Sequence, residues 1–332
     1  MVSLDLYTSE YLLSLVKQRE GETKLGECVQ TISSLDHLTD ATAAFVLVGI
    51  SEDIGVRANY GTPGTSTAWE PALKTLLNVQ SNRFLSGKEL LVLGHIGCSN
   101  LPEPTIGSLQ QEIEDLDHLV NGVIAKIAEA GKIPIVIGGG HNNAYPIIRG
   151  IAEARKNAIH TLNIDAHADL RVPLGRNSGN AFSYALRDGL LSKYGVFGLQ
   201  QNYNNERMLE LMDQMPEISA VFFDDLLTGS ASILDTWTSF IAPFEFPGLE
   251  IDLDSVAGVL SSGGGPSGFT LNEIRKIILN STKSFSYLHL CEGAVKLVDG
   301  REDVNTAKVI AYLITDFLKS QNNQGINPVF PL

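Results

Sequence analysis

Cysteine is the first scarcity. The 332-residue chain has three, at positions 28, 98 and 291. They are too few, too scattered and odd in number for a disulfide scaffold, and read as reduced thiols of a cytoplasmic protein. Positive charge is also short: 24 Lys and Arg face 38 Asp and Glu, a net charge of −14. Such a surface repels phosphate backbones and anionic lipid, so neither nucleic acid nor a membrane is the expected partner. No apolar run approaches the ~18 residues of a membrane span. The opening MVSLDLYTSEYLLSLVKQREGE lacks a basic start and a small-residue cleavage site. It reads as a polar opening helix rather than a signal peptide, the start of a helical extension over about residues 1–40. Repeats, low-complexity tracts and linker-like stretches are missing as well, so residues 1–332 read as a single domain.

What the chain does have is short apolar runs. Residues 44–50, 89–93, 133–137, 159–164, 195–199, 220–223, 249–253 and 285–290 are each strand-length and rich in Val, Ile, Leu or Phe. Amphipathic stretches such as 109–130 and 271–279 lie between them, and the C-terminal 305–319 has helical spacing. Continuous apolar strands alternating with helices predict a parallel sheet covered on both faces, with about eight strands. A (β/α)₈ barrel has the same alternation, and the pattern leaves both open.

In parallel α/β folds, ligands bind beyond the carboxyl ends of strands. Four runs end there in polar clusters. The run 133–137 leads into GGGH, Gly138 to His141. The run 159–164 leads into Asp165, His167 and Asp169. The run 249–253 carries Asp252 and leads to Asp254, and 285–290 leads to Cys291 and Glu292. Alternate residues of an extended segment face one way, so Asp165, His167 and Asp169 can converge. Each motif has a plainer explanation by itself: glycines make turns after strands, and Asp pairs cap helices. Together, four Asp, two His and a Glu at successive strand ends are hard to explain as packing. Imidazoles and carboxylates without thiolates suit Mn²⁺ or a similar divalent ion. The set is too large for one ion and sufficient for two. Such a pair, ~3.5–4 Å apart, holds a hydroxide at neutral pH.

These motifs resemble the ureohydrolases: arginase, agmatinase, formimidoylglutamase and their relatives. The family pattern of GGxH, DAHxDxR and SxDxD reads here as GGGH (Gly138–His141), DAHADLR (Asp165–Arg171) and EIDLD (Glu250–Asp254), and the resemblance spans roughly residues 40–320. It implies a three-layer α/β/α fold with a mostly parallel eight-stranded sheet and two Mn²⁺ per chain. It also implies self-association as a trimer or hexamer. Carried over by position, His141, Asp165, Asp169 and Asp252 would hold one ion, and Asp165, His167, Asp252 and Asp254 the other. Glu292 would grip the planar cationic head of an amidine or guanidine substrate. Asp169 would carry the proton to the leaving amine.

Departures from the pattern narrow the substrate. The third motif opens with Glu250 where Ser is usual, and Ala257-Gly258 stands where Asp-Pro is usual. Arginases carry SGNxH where this chain has Ser178-Gly179-Asn180-Ala181-Phe182. An SGxxF segment is similar to formimidoylglutamases, as is Glu52–Asn59 (EDIGVRAN) followed by Gly61 and Gly64, although Thr62 replaces the usual Arg. The expected reaction is therefore manganese-dependent hydrolysis of N-formimidoyl-L-glutamate to L-glutamate and formamide. Arginase or another guanidine or amidine hydrolase is the alternative, and a non-enzymatic relative is disfavoured by the complete set of metal-binding residues. A dianionic substrate tail needs cations. Arg171 is the first candidate clamp, with a structural partner to the acidic cluster as its other reading; Arg57 and Arg176 are second candidates. Ser178, Asn180, Gln200 and Asn202 are candidate hydrogen-bonding partners for the tail.

Overall fold

The computed structural model describes residues 2–98 and 104–323, so both ends of the expected 1–332 domain lie outside the described residues. Among the described residues, nine strands form one sheet. In chain order they are β1 (Val2–Leu6), β2 (Phe45–Ser51), β3 (Leu90–Cys98), β4 (Ile133–Ile137), β5 (Ile159–Ile164), β6 (Leu191–Leu199), β7 (Ile218–Phe222), β8 (Gly248–Asp252) and β9 (Tyr287–Cys291). Their spatial order is β1-β3-β2-β4-β9-β8-β5-β6-β7. Every pairing is parallel except that of β1 with β3. The sheet is open, which removes the barrel alternative, and helices cover both faces.

The strand count corrects the expected eight, and the ninth strand lies where an opening helix was expected. Val2–Leu6 reads VSLDL, and its residues alternate between half-buried and exposed. That is the signature of an antiparallel edge strand with one wet face. The helix begins only at Ser9, where the Thr8 hydroxyl accepts the Tyr11 amide hydrogen, and it ends at Ser14. The rest of the first 40 residues contains two short 3₁₀ turns, Leu25–Glu27 and Leu35–Asp40.

The inner strands bury both faces, which is why they read as continuous apolar runs. Along β2, Phe45 and Leu47 enter one core layer, while Val46, Val48 and Ile50 enter the other. The first layer packs against helices Trp69–Leu77, Ile233–Ile241, Leu271–Leu279 and Asn305–Asn323. The second packs against Ile106–Glu129, Ala144–Arg155 and Ala181–Arg187. Fully buried Ile135 and Leu288 are neighbours on β4 and β9. Truncating either to Ala would cost about 2–5 kcal/mol in lost burial and a residual cavity.

The functional consequence lies in the strand order. The four strands that end in polar clusters, β4, β9, β8 and β5, are consecutive neighbours at the centre of the sheet. Their carboxyl ends therefore open onto one place.

Candidate metal centre and substrate cleft

The backbone builds this place with unusual conformations. Gly138 and Gly139 sit at φ 92° and 75°, a region that side chains disfavour, so the chain turns sharply from β4 toward His141. Glu52, fully buried, holds that turn: its carboxylate accepts the amide hydrogens of Gly140 (2.7 Å) and Ile54 (2.7 Å) and one from the Asn143 side chain (2.6 Å). Asp169 and Glu292 adopt φ 50° and 61°, rare for residues with a Cβ. Strain of this kind concentrates at functional sites, where the surroundings hold it in place.

His141 lies at the centre. Its Nδ1 is 2.9 Å from Asp169 Oδ2 and 3.2 Å from both Asp165 Oδ2 and Asp252 Oδ2. Donor atoms of these four residues all lie within 4.8 Å of one another. Despite the short distances, neither ring nitrogen of His141 makes a hydrogen bond among the described residues. Three carboxylates facing one imidazole nitrogen without hydrogen-bonding it form an arrangement that a shared divalent cation satisfies. The electrostatics agree. Burial, together with the charges of Asp254 and Asp165, pushes Asp252 well above the usual carboxylate range. Burial also raises Asp169. Burial works against ionising Asp165 too, but the imidazoles of His141 and His167 outweigh it and bring Asp165 below that range. Carboxylates crowded in this way need protons or cations between them.

His167 and Asp254 line the same cleft outside the compact group. His167 Nδ1 is 3.5 Å from Asp165 Oδ1, and its ring stacks on Tyr203 with centroids 5.3 Å apart. Asp254 Oδ1 accepts the Gly263 amide hydrogen at 3.1 Å. Glu292 accepts the amide hydrogen of His141 (2.6 Å) through Oε1 and the Ser262 hydroxyl through Oε2. Burial and the Asp254 charge push it up to about 8.

The cleft has a volume of about 130 Å³; Asp169, Asp252, Asp254 and Glu292 line it along with Asn59, Arg171 and Ser178. A larger hollow of about 740 Å³ adjoins it and shares Arg171 and Met208, but lacks the carboxylate group.

The structure separates the candidate tail-binding residues. Arg171 is exposed at the cleft, and among the described residues its guanidinium makes no ion pair or hydrogen bond. It is therefore not a structural partner of the acidic cluster. Ser178 also lines the cleft, where its hydroxyl accepts from Asn59 Nδ2 at 3.1 Å. Asn180, expected to contact substrate, is fully buried and is not among the residues that line the cleft. Its Oδ1 accepts from Arg176 Nη1 (3.3 Å) and the Asn177 amide (3.1 Å), while Nδ2 donates to the Gly175 carbonyl (2.8 Å). It is spent on closing its own loop. Arg176 is likewise buried, against Asp117, and Arg57 lies 3.9 Å from Asp53. Gln200 donates to the Ser267 carbonyl, and Asn202 is exposed in a short turn.

Several partners have no strong sequence signal. Asn163 Nδ2 donates to Asp165 Oδ2 (3.0 Å), and Asn204 Oδ1 accepts the Ala168 amide hydrogen (3.0 Å). Ser262 lies in the SSGGGPSG stretch, which reads from sequence only as a loop. The alternation of Asn163 and Asp165 at the carboxyl end of β5 is the one available hint.

Comparison with known proteins shows the family and the fold. The profile of the Arginase family matches residues 43–318. A formimidoylglutamase of Rhodococcus jostii is 27% identical over 282 residues, covering 82% of this chain and 84% of its own. One from Ralstonia nicotianae is 25% identical over 317 residues, covering 89% and 91%. Among solved structures, formimidoylglutamase from Bacillus subtilis superposes with a TM-score of 0.75 at 14% identity, covering 93% of this chain and 95% of that one. A formiminoglutamase of Trypanosoma cruzi solved with Mn²⁺ gives 0.70 at 18% identity, covering 90% and 98%.

Proposed function

Because the chain belongs to the arginase family, we propose that it hydrolyses N-formimidoyl-L-glutamate to L-glutamate and formamide with two Mn²⁺ bound in the cleft. The observation that carries this reading is a pairing of opposites. Carboxylates crowd around His141, and Arg171 stands at the same cleft with no ion pair among the described residues. A substrate with a cationic amidine head and an anionic tail matches both ends. The formimidoylglutamase relatives support the same choice.

His141, Asp165, Asp169 and Asp252 would hold one ion, and His167 and Asp254 would complete the second with Asp165 and Asp252. The ions, when bound, supply Lewis acidity and a water that ionises near neutral pH. The protein's own groups do the rest. Glu292, anchored by His141 N–H and Ser262, accepts N–H hydrogens from the head group and orients its sp² carbon. Water adds to that carbon. Asp169 takes the proton released and returns it to the departing glutamate nitrogen as the C–N bond breaks. Arg171 and Ser178 hold the tail carboxylates. Phe182 leaves no histidine at its position for this proton transfer.

The cytoplasm is the proposed compartment, in keeping with three free cysteines and, among the described residues, no helix long and apolar enough to cross a membrane. Assembly as a trimer or hexamer belongs to the same reading, and sedimentation checks it.

The deciding experiment offers N-formimidoyl-L-glutamate, L-arginine and agmatine separately to manganese-loaded protein. Formamide from the first alone is expected. Urea from arginine would replace this reading with arginase activity, and no turnover of any of the three would overturn the substrate assignment.

A further inference from the structure

The two nitrogens of His141 face different surroundings. Nδ1 faces Asp165, Asp169 and Asp252. Nε2 lies 3.6 Å from Glu250 Oε2, just beyond hydrogen-bond length. The ring is fully buried, and among the described residues both nitrogens lack a hydrogen-bonding partner. A neutral imidazole bears one N–H, so a ring that offers a bare Nδ1 to a cation must carry its hydrogen on Nε2. That hydrogen needs an acceptor, because an unmatched buried donor costs about 1–3 kcal/mol.

Glu250 is built to be that acceptor. It belongs to β8, and its cross-strand neighbour on β9 is His289. It is fully buried. Its Oε1 accepts the Tyr287 hydroxyl hydrogen at 2.8 Å, and His289 Nδ1 lies 2.6 Å from Oε2. His289 is fixed in turn, with Nε2 3.3 Å from the Gly138 carbonyl of the turn that leads to His141. A carboxylate is expensive to bury, and here two side chains hold it beside a third. The Ser usual at this position in the family has no carboxylate to offer. The thiol of Cys291 also lies within 4.8 Å of His141, but it is a weak acceptor compared with a carboxylate.

We infer that Glu250 is a positioning residue: its carboxylate takes the Nε2 hydrogen of His141, which fixes the tautomer and turns the Nδ1 lone pair toward Asp165, Asp169 and Asp252. Second-layer carboxylates of this kind strengthen a histidine ligand, and their loss costs about 10- to 100-fold in metal affinity. The inference rests on the reading of His141 as a metal ligand.

The test is manganese binding to metal-stripped protein without substrate, followed through the EPR signal of free Mn²⁺, for the unsubstituted chain and for Glu250→Gln, Glu250→Asp and His289→Gln. Thermal unfolding is recorded on each. Glu250→Gln removes the charge and is expected to weaken one of the two ions about 10- to 100-fold. Glu250→Asp keeps the charge on a shorter arm and should fall between. His289→Gln breaks the buried pair but leaves the carboxylate, so it should lower thermal stability and keep manganese affinity within a few-fold. Should Glu250→Gln fail to fold, the intermediate loss in Glu250→Asp carries the test. Equal affinity across the Glu250 series overturns the inference. So does a loss in His289→Gln as large as that in Glu250→Gln, because the carboxylate would then act only through the fold. No uptake by the unsubstituted chain is a different failure: it overturns the manganese reading itself.

Discussion

Phe182 stacks on Tyr194 with ring centroids 4.2 Å apart and meets the ring of His141 edge-on at 5.1 Å. It is fully buried at the start of helix Ala181–Arg187, behind the imidazole of His141. The position where arginases carry histidine is therefore core in this chain. Phe182→His would place a polar ring in an aromatic stack. We expect a loss of about 2 kcal/mol in stability, because the imidazole has to be desolvated there. We expect no urea release from arginine. Urea denaturation and an arginase assay check both; a stable variant that cleaves arginine would contradict the placement.

Asp252→Asn separates metal binding from folding. The amide oxygen can still accept the Asp254 backbone hydrogen, as Asp252 Oδ1 now does at 2.7 Å. What disappears is a buried carboxyl whose ionisation is opposed by burial and by the charges of Asp254 and Asp165. Activity should fall below detection and manganese uptake should fail at that position. Without metal, the variant should unfold at the same or a higher temperature than the unsubstituted chain, since like-charge repulsion is relieved. Calorimetry with and without chelator reads both. A variant that still turns over substrate at saturating manganese would remove Asp252 from the ligand set.

Arg171→Ala tests the substrate tail. A charge-assisted hydrogen bond to a carboxylate is worth about 1.5–3 kcal/mol, so kcat/KM should drop by about 10- to 100-fold. The loss should appear mainly in KM, because the tail does not change charge during the reaction. Since the guanidinium has no ion pair among the described residues, thermal stability should stay within about 0.5 kcal/mol. A large stability loss with unchanged KM would make Arg171 a structural residue.

The sequence made the centre of this molecule readable and left its edges and supports obscure. Strands buried on both faces are continuous apolar runs, so β4, β5, β8 and β9 announce themselves, and their polar carboxyl ends mark the cleft. β1 escapes because one of its faces is wet: VSLDL alternates at a period that five residues do not establish, and the helix-forming Ser9–Ser14 follows at once. The supports escape for a different reason. Ser262 reaches Glu292 across 30 positions, and Glu250 meets His289 across 39. Such contacts depend on sheet order, which local pattern does not encode. Arg171 and Arg176 show the same limit. Five residues apart and equally basic, one is open at the cleft and the other buried.

Arg176 carries the last prediction. Its Nε and Nη2 meet Asp117 Oδ2 and Oδ1 at 2.7 and 3.2 Å, and Nη2 also donates to the Asn142 carbonyl at 2.8 Å. Tyr145 and Tyr184 lie 4.6 and 4.9 Å from its guanidinium carbon. Removing one member of a buried pair leaves the other charge uncompensated, so Arg176→Met should cost about 3–5 kcal/mol. Burial already raises Asp117 above the usual range even with Arg176 lowering it. Without the arginine that carboxyl rises further. The folded variant then holds a proton that the unfolded chain releases near pH 3.9. Stability therefore falls as pH climbs above that value, so the deficit of Arg176→Met should be smaller at pH 5 than at pH 8. Adding Asp117→Leu removes the stranded carboxylate and should recover much of the loss together with its pH dependence. Urea denaturation of the single and double variants at both pH values decides it. A deficit that is flat with pH, or unrelieved in the double variant, would mean that packing against the tyrosines, and not the ion pair, is what Arg176 contributes.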